Sequence, residues 1–192
     1  MPLHFTREEF ADRQARAARA LAAAELDAIL LFAPESHYWL TGYDTFGYAM
    51  FQCMVLTADG KIALLTRPPD RLQALQTSTL SEDQIHLWVD RDGVNPAEEL
   101  KWLLTALGAP LRIGIETRTA GLTHWNGKAV EAALGPLVEA SDIIPALRRV
   151  KSAAELDHHR RAAALSDDAL DAALEIAGAG AFEGDILAAM QD

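Results

Sequence analysis

Along the chain the apolar residues change period several times, and each change marks an element. Phe10, Ala17, Leu21 and Ala24 recur at helical spacing; Thr6 stands where a cap belongs, and Glu8 and Glu9 fill a first turn that favours anions. A helix is predicted from there to about Glu25. Ala28-Ile-Leu-Leu-Phe32 is a continuous apolar run of strand length, the mark of a central strand covered on both faces. Pro34 then breaks the chain, Ser36 can cap a short helix through Tyr38, Trp39 and Leu40, and Gly42 stops it as a C′ residue. Tyr43-Asp-Thr-Phe-Gly-Tyr48 follows as a loop rich in aromatics and glycine. Phe51–Leu56 and Lys61–Thr66 read as strands joined by an Ala58-Asp-Gly60 turn, an antiparallel hairpin.

Beyond the hairpin, Pro68-Pro69-Asp70 opens a helix through Leu75, Ile85–Val89 reads as a short strand, and Asn95-Pro96 caps a helix that runs to Leu107 and closes at Gly108. Ile113-Gly-Ile115 is another strand. Thr119–Leu134 has helical spacing on Trp125, Ala129, Ala132 and Ala133 and ends at Gly135-Pro136, before an edge strand over Leu137–Ala140. Strands alternating with helices, plus one hairpin, predict an α/β fold: a three-layer α/β/α domain on a mixed sheet, residues 1–147.

Residues 148–192 follow a different pattern, a linker and then helix only. Ser152 and Glu155 have the spacing of a capping box, in which each side chain bonds the other residue's backbone N–H. Leu156, Ala163, Leu170 and Ala177 then recur with a heptad period, Leu174 and Ile176 widen the stripe, and Gly178-Ala-Gly180 ends it before a second helix with Ile186, Leu187 and Met190. Arg148, Arg149 and Lys151 precede that helix start, where cations suit the dipole poorly; they are either a solvated linker or pinned to acidic groups of a neighbouring domain. Two helices with apolar faces and little to bury them against lead to the expectation that Asp192 is an artificial or premature end.

Composition narrows the function classes. The chain has 192 residues, half of them hydrophobic, with no apolar run approaching the ~18–20 residues of a membrane span. The charged N-terminus does not resemble a signal peptide, and a single cysteine, Cys53, cannot make an internal disulfide; a cytoplasmic location is expected. A formal net charge of −11 opposes binding to a phosphate backbone, so neither nucleic acid nor membrane is an expected partner.

Several residues invite a chemical role. His158 and His159 are adjacent on a helix and diverge by about 100°, so they cannot share an ion; Glu155 and His159 do share a face but make only two ligands. Cys53 lies inside a strand pattern with no histidine nearby in sequence, as a small buried hydrophobe would. Ser36, His37 and Asp44 spell a triad, yet they crowd one short helix and loop, and no glycine elbow surrounds the serine. A nuclease would need carboxylates at the strands, and Ala28–Phe32 has none.

Two segments together resemble one family. Glu35-Ser-His-Tyr-Trp-Leu-Thr-Gly-Tyr43, after the first strand, resembles the N-terminal domain of the creatinase, prolidase and aminopeptidase P family, and Leu147-Arg-Arg-Val-Lys-Ser-Ala-Ala-Glu155 resembles its junction into a "pita-bread" catalytic domain. The resemblance implies a ribonuclease-H-like fold for the first domain and, from Ser152, the opening helices of the catalytic one. It implies a dinuclear-metal hydrolase in which two divalent ions (Mn, Zn or Co) activate a bridging water and polarise the scissile carbonyl. Their ligands would lie in the catalytic domain beyond its first helices, so this chain is expected to be inactive alone, with no catalytic and no metal-binding residue of its own.

The family also implies a homodimer acting on a small peptide or amide, with loops of this domain reaching the partner subunit's active site. On that reading Tyr43, Asp44, Phe46 and Tyr48 are candidate substrate contacts in trans, and Arg67 is a candidate anchor for a substrate carboxylate. Packing of the same aromatics on the domain's own core is the competing reading. An Xaa-Pro dipeptidase is the leading expectation. A creatinase-like or ectoine-hydrolase-like C–N hydrolase and a metal-free interaction scaffold are the alternatives.

Overall fold

A computed structural model describes residues 3–108 and 110–191. Asp192, on which the expectation about the chain end rests, and the first two residues of the N-terminus lie outside them. The chain divides into two compact units, Met1–Arg149 and Val150–Asp192.

In the first unit the elements run α1 (Arg7–Ala23), β1 (Ala28–Leu31), α2 (Pro34–Thr41), β2 (Cys53–Thr57), β3 (Ile62–Thr66), α3 (Arg71–Thr77), β4 (Ile85–Leu87), α4 (Pro96–Ala106), β5 (Ile113–Ile115), α5 (His124–Leu134), β6 (Val138–Glu139) and α6 (Ile143–Arg148). The strands form one mixed sheet in the order β4-β3-β2-β1-β5-β6. β1 pairs antiparallel with β2, which pairs antiparallel with β3, and the remaining neighbours are parallel.

The unbroken apolar run of β1 has the meaning expected of it. Every residue of the strand is buried: Ile29 and Leu31 join α1, α2, α3 and α6 on one face, while Ala28 and Leu30 join α4 and α5 on the other. Strand side chains alternate between faces, so a strand with two covered faces has no polar position to offer. The result is the three-layer α/β/α sandwich read from the sequence.

The helix ends obey local chemistry. Thr6 accepts from Glu9 N–H, Asn95 from Ala97 N–H and Thr123 from Asn126 N–H. Arg13 of α1 is almost fully buried, yet it is paired with Glu9 at 2.8 Å, donates to Trp39 O and lies 4.1 Å over the Phe5 ring. That combination of ion pair, hydrogen bond and cation–π contact offsets the cost of burying its charge.

Four readings need correction. Ser36 does not cap α2: Ala33 occupies the cap position with Pro34 next to it, and the Ser36 hydroxyl is drawn instead to the carboxylate of Glu116. α5 begins at His124, not Thr119, and its buried face is Val130 and Ala133, with Trp125 left 82% exposed. The stretch before it must turn tightly, because a Cβ on Gly121 would run into Phe32 O. Residues 143–148 form α6, which buries Ile144; Arg148 therefore sits in a helix's last turn, where a cation suits the dipole.

The second unit holds α7 (Ala153–Ile176) and α8 (Glu183–Ala189). The capping box forms as read: Ser152 Oγ accepts from Glu155 N–H at 3.1 Å and Glu155 Oε2 accepts from Ser152 N–H at 2.8 Å. Ala173 is buried, whereas Leu156, Leu170 and Leu174 of the heptad stripe remain exposed. Among the described residues no helix is long and apolar enough to cross a membrane.

Gly121→Ala tests the tight approach to β1. It is expected to lower stability by about 1–3 kcal/mol, the usual cost of forcing atoms into a packed site. Urea unfolding of the variant checks this, and a change below about 0.5 kcal/mol would mean that the backbone relaxes freely there.

Candidate functional site

Site geometry begins at the end of α2. Gly42 ends the helix with φ 82° and its N–H donates to Tyr38 O, a left-handed turn that suits glycine. Tyr43 turns back into the core. It is fully buried, its ring stacks on His37 at 6.2 Å, and its hydroxyl accepts from Gln52 Nε2 at 3.0 Å. Burial raises the pKa of that phenol above its ordinary value. Tyr43 therefore does not reach the surface.

The rest of the loop does. Asp44 is exposed and its N–H donates to Thr77 Oγ1, Phe46 is 86% exposed, and Tyr48 lies within and Met50 just after a short 3-10 turn over Gly47–Ala49, with their side chains partly in solvent. Exposed aromatics at the tip of a loop on a rigid scaffold are a contact surface in waiting. Arg67 follows β3 and is mostly buried: its Nε faces Asp70 Oδ2 at 3.6 Å and lacks a hydrogen bond. Of the five residues singled out from the sequence, then, Asp44, Phe46 and Tyr48 lie on the exposed loop, Arg67 lies at the foot of it, and Tyr43 belongs to its buried support.

Sequence reasoning missed that support. Gln52 and Thr66 are buried polar residues inside otherwise apolar stretches, and Thr45 and Asp70 are buried beside them. Thr45 Oγ1 donates to Gln52 Oε1 at 3.1 Å, Gln52 Nε2 donates to Thr66 Oγ1 at 2.9 Å, and Thr66 Oγ1 donates to Asp70 Oδ2 at 3.2 Å. A polar residue interrupting a strand pattern was the available signal.

Glu116 was missed as well. It follows β5 and is 3% exposed; Oε2 accepts from Phe32 N–H at 3.1 Å and Ala33 N–H at 2.8 Å, and Oε1 accepts from Ser36 Oγ at 2.6 Å. Burial raises its pKa, against the three donors that favour the charged form. With Ser36 committed to Glu116, His37 Nε2 bonded to Leu31 O at 2.9 Å and Asp44 in solvent, the letters of a triad do not converge. Leu31 O can only accept, so Nε2 carries the His37 proton. Burial pushes His37 down to about 4, keeping it neutral near pH 7. Cys53 is buried, and burial raises its thiol pKa well above the ordinary range, which removes the thiolate a nucleophile needs.

Among the described residues no three His, Cys, Asp or Glu side chains are grouped so as to hold a metal ion. Glu155 is engaged in its capping box.

Residues 13–150 match the Creatinase/Prolidase N-terminal domain. The chain belongs to that family. The creatinase/prolidase N-terminal domain here is 28% identical over 82% of the chain to an ectoine hydrolase from Halomonas elongata, covering 42% of that protein. Its fold is that of an Xaa-Pro dipeptidase from Bacillus anthracis (TM-score 0.72, 19% identity, 94% of this chain and 47% of that one). It is equally that of the dipeptidase PepE from Mycobacterium ulcerans (TM-score 0.73, 23% identity, 97% and 49%). The chain thus spans about half the length of these relatives.

The neutral buried His37 carries a pH signature. Its folded pKa lies below the unfolded value near 6.5, so the stability it contributes is present above pH ~6.5 and lost as pH falls towards 4. Relative to His37→Gln, which keeps a donor but has no titrating ring, the wild-type protein is expected to lose about 3 kcal/mol across that window. Parallel urea unfolding curves for the two proteins from pH 7 to 4 check this; a constant difference would mean that the ring does not stay neutral.

Proposed function

We propose that residues 1–147 are the dimerisation and substrate-gating domain of a cytoplasmic dinuclear-metal hydrolase of the Xaa-Pro peptidase type, and that residues 148–192 are the linker and first helices of its catalytic domain. The observation that carries the reading is the loop: Phe46, Tyr48 and Met50 are held in solvent at the edge of a firmly packed domain whose family includes hydrolases and whose fold is shared with Xaa-Pro dipeptidases. Apolar surface held outward on a rigid support is suited to contact with another subunit and its substrate.

On this reading the domain does no bond-breaking chemistry. The described residues offer no metal site, and the two divalent ions, when bound elsewhere in the whole enzyme, supply Lewis acidity and an activated water. The chain's own contribution is to exclude water with the aromatic tip and to present the Arg67 guanidinium, which can meet a substrate carboxylate in a paired, charge-assisted geometry. On this reading the enzyme works as a homodimer, with the exposed Phe46, Tyr48 and Met50 available to the partner subunit.

The similarity to an ectoine hydrolase favours a second reading, the same gating role in a C–N hydrolase of a small cyclic or amidine substrate. A metal-free scaffold is the third. Metal analysis of the full-length protein separates the scaffold from both enzymes, and hydrolysis of Ala-Pro compared with ectoine separates the enzymes from each other.

In the full-length enzyme, Arg67→Ala is expected to raise KM for the dipeptide Ala-Pro about tenfold, the loss of one charge-assisted hydrogen bond, and to leave KM for Ala-Pro amide nearly unchanged. Equal effects on the acid and the amide would remove Arg67 as a carboxylate anchor. Phe46→Ala is expected to raise KM for both.

A further inference from the structure

The loop's exposed tip depends on one buried side chain. Gln52, 2% exposed, accepts through Oε1 from the Thr45 hydroxyl and donates through Nε2 to the Tyr43 hydroxyl and to Thr66 Oγ1. A single amide so ties the loop's entry at residues 43–45 to its exit at residue 52, and both to the end of β3. Thr66 passes the contact on to Asp70 Oδ2, the oxygen that faces Arg67 Nε. Thr45 Oγ1 in turn accepts from Gly47 N–H at 2.9 Å, which sets the start of the 3-10 turn.

Gly47 closes the arrangement. A Cβ there would lie 2.6 Å from Asp70 Oδ1 and 2.6 Å from Gln52 Nε2, so the backbone of the tip rests directly on the two polar groups below it. The backbone conformation does not demand glycine at this place; the close approach does.

We propose that Gln52 is a positioning residue: acting with Asp70 beneath Gly47, it fixes the conformation in which Phe46, Tyr48 and Arg67 are presented, so that substrate selectivity is set from below the loop as well as at its tip. The consequence for substrate rests on the gating role proposed above; the positioning does not. The position calls for an amide because its neighbours need both a donor and an acceptor. Leucine would strip one hydrogen bond from each of the Thr45, Tyr43 and Thr66 hydroxyls, and glutamate would set a second carboxylate close to Asp70.

Hydrogen exchange of the full-length protein, followed by mass spectrometry, reads the positioning without reference to activity. In Gln52→Leu the segment 44–52 is expected to exchange about tenfold faster or more, with residues 28–31 unchanged. Unaltered exchange over 44–52 overturns the proposal. Gly47→Ala keeps the amide but pushes the tip off its support; it is expected to loosen the same segment and decides the matter if Gln52→Leu does not fold. Phe46→Ala leaves exchange as in the wild type.

With Ala-Pro as the probe, Gln52→Leu and Phe46→Ala each raise KM while kcat stays within about twofold, and the double variant raises it by less than the product of the two single effects. Fully additive effects would mean that Gln52 does not act through the loop, which counts against the proposal. Faster exchange with KM unchanged upholds the positioning and removes the substrate-contact reading.

Discussion

The first unit hangs on the carboxylate of Glu116. Leaving the end of β5, it takes the amide protons of Phe32 and Ala33 and the hydroxyl of Ser36, and so fastens the end of the central strand to the start of α2. Without it, the backbone donors of Phe32 and Ala33 at this buried turn would lose their acceptor, a cost of about 1–3 kcal/mol for each unsatisfied group. Everything downstream inherits its direction from that junction. α2 ends at Gly42, the loop starts there, and the loop carries the aromatic surface.

Two kinds of interior coexist on either side of this junction. The faces of the sheet are filled by aliphatic and aromatic side chains, which need only volume and shape. Between the loop and the end of β3 the interior is polar, a chain of hydroxyl, amide and carboxylate groups from Thr45 through Gln52 and Thr66 to Asp70. Hydrogen bonds fix directions where apolar packing tolerates adjustment. The protein places its directional contacts where an exposed tip has to be held still.

His37 and Tyr43 show how the two regions meet. Their rings stack, the imidazole ties back to Leu31 O of the central strand, and the phenol faces Gln52. Residues that look chemically active in a list, a histidine beside a serine and a tyrosine beside an aspartate, are here the joint between an apolar core and a polar support.

Apart from α6, the order of elements could be read from the chain, as could the buried character of Ala28–Leu31, the hairpin, the caps at Thr6, Asn95 and Ser152 and the change to helix alone after the first unit. Each depends on residues close in sequence, through period, turn chemistry or a capping side chain within three positions. The exposed part of the candidate site was legible for the same reason, since Asp44, Phe46 and Tyr48 stand in one short loop. The misreadings share the opposite cause. Ser36 looked like a cap because Glu116, 80 residues away, is invisible to local reasoning, and Thr119–Thr123 looked helical because nothing nearby shows that Gly121 must pass close to Phe32 O. Gln52, Thr66 and Asp70 became a support only when the sheet brought β3 beside the loop. Local periodicity and capping chemistry determine which elements form; which polar group meets which is decided by the tertiary fold, because a hydrogen bond needs its partner within about 3 Å and only the folded chain sets that distance.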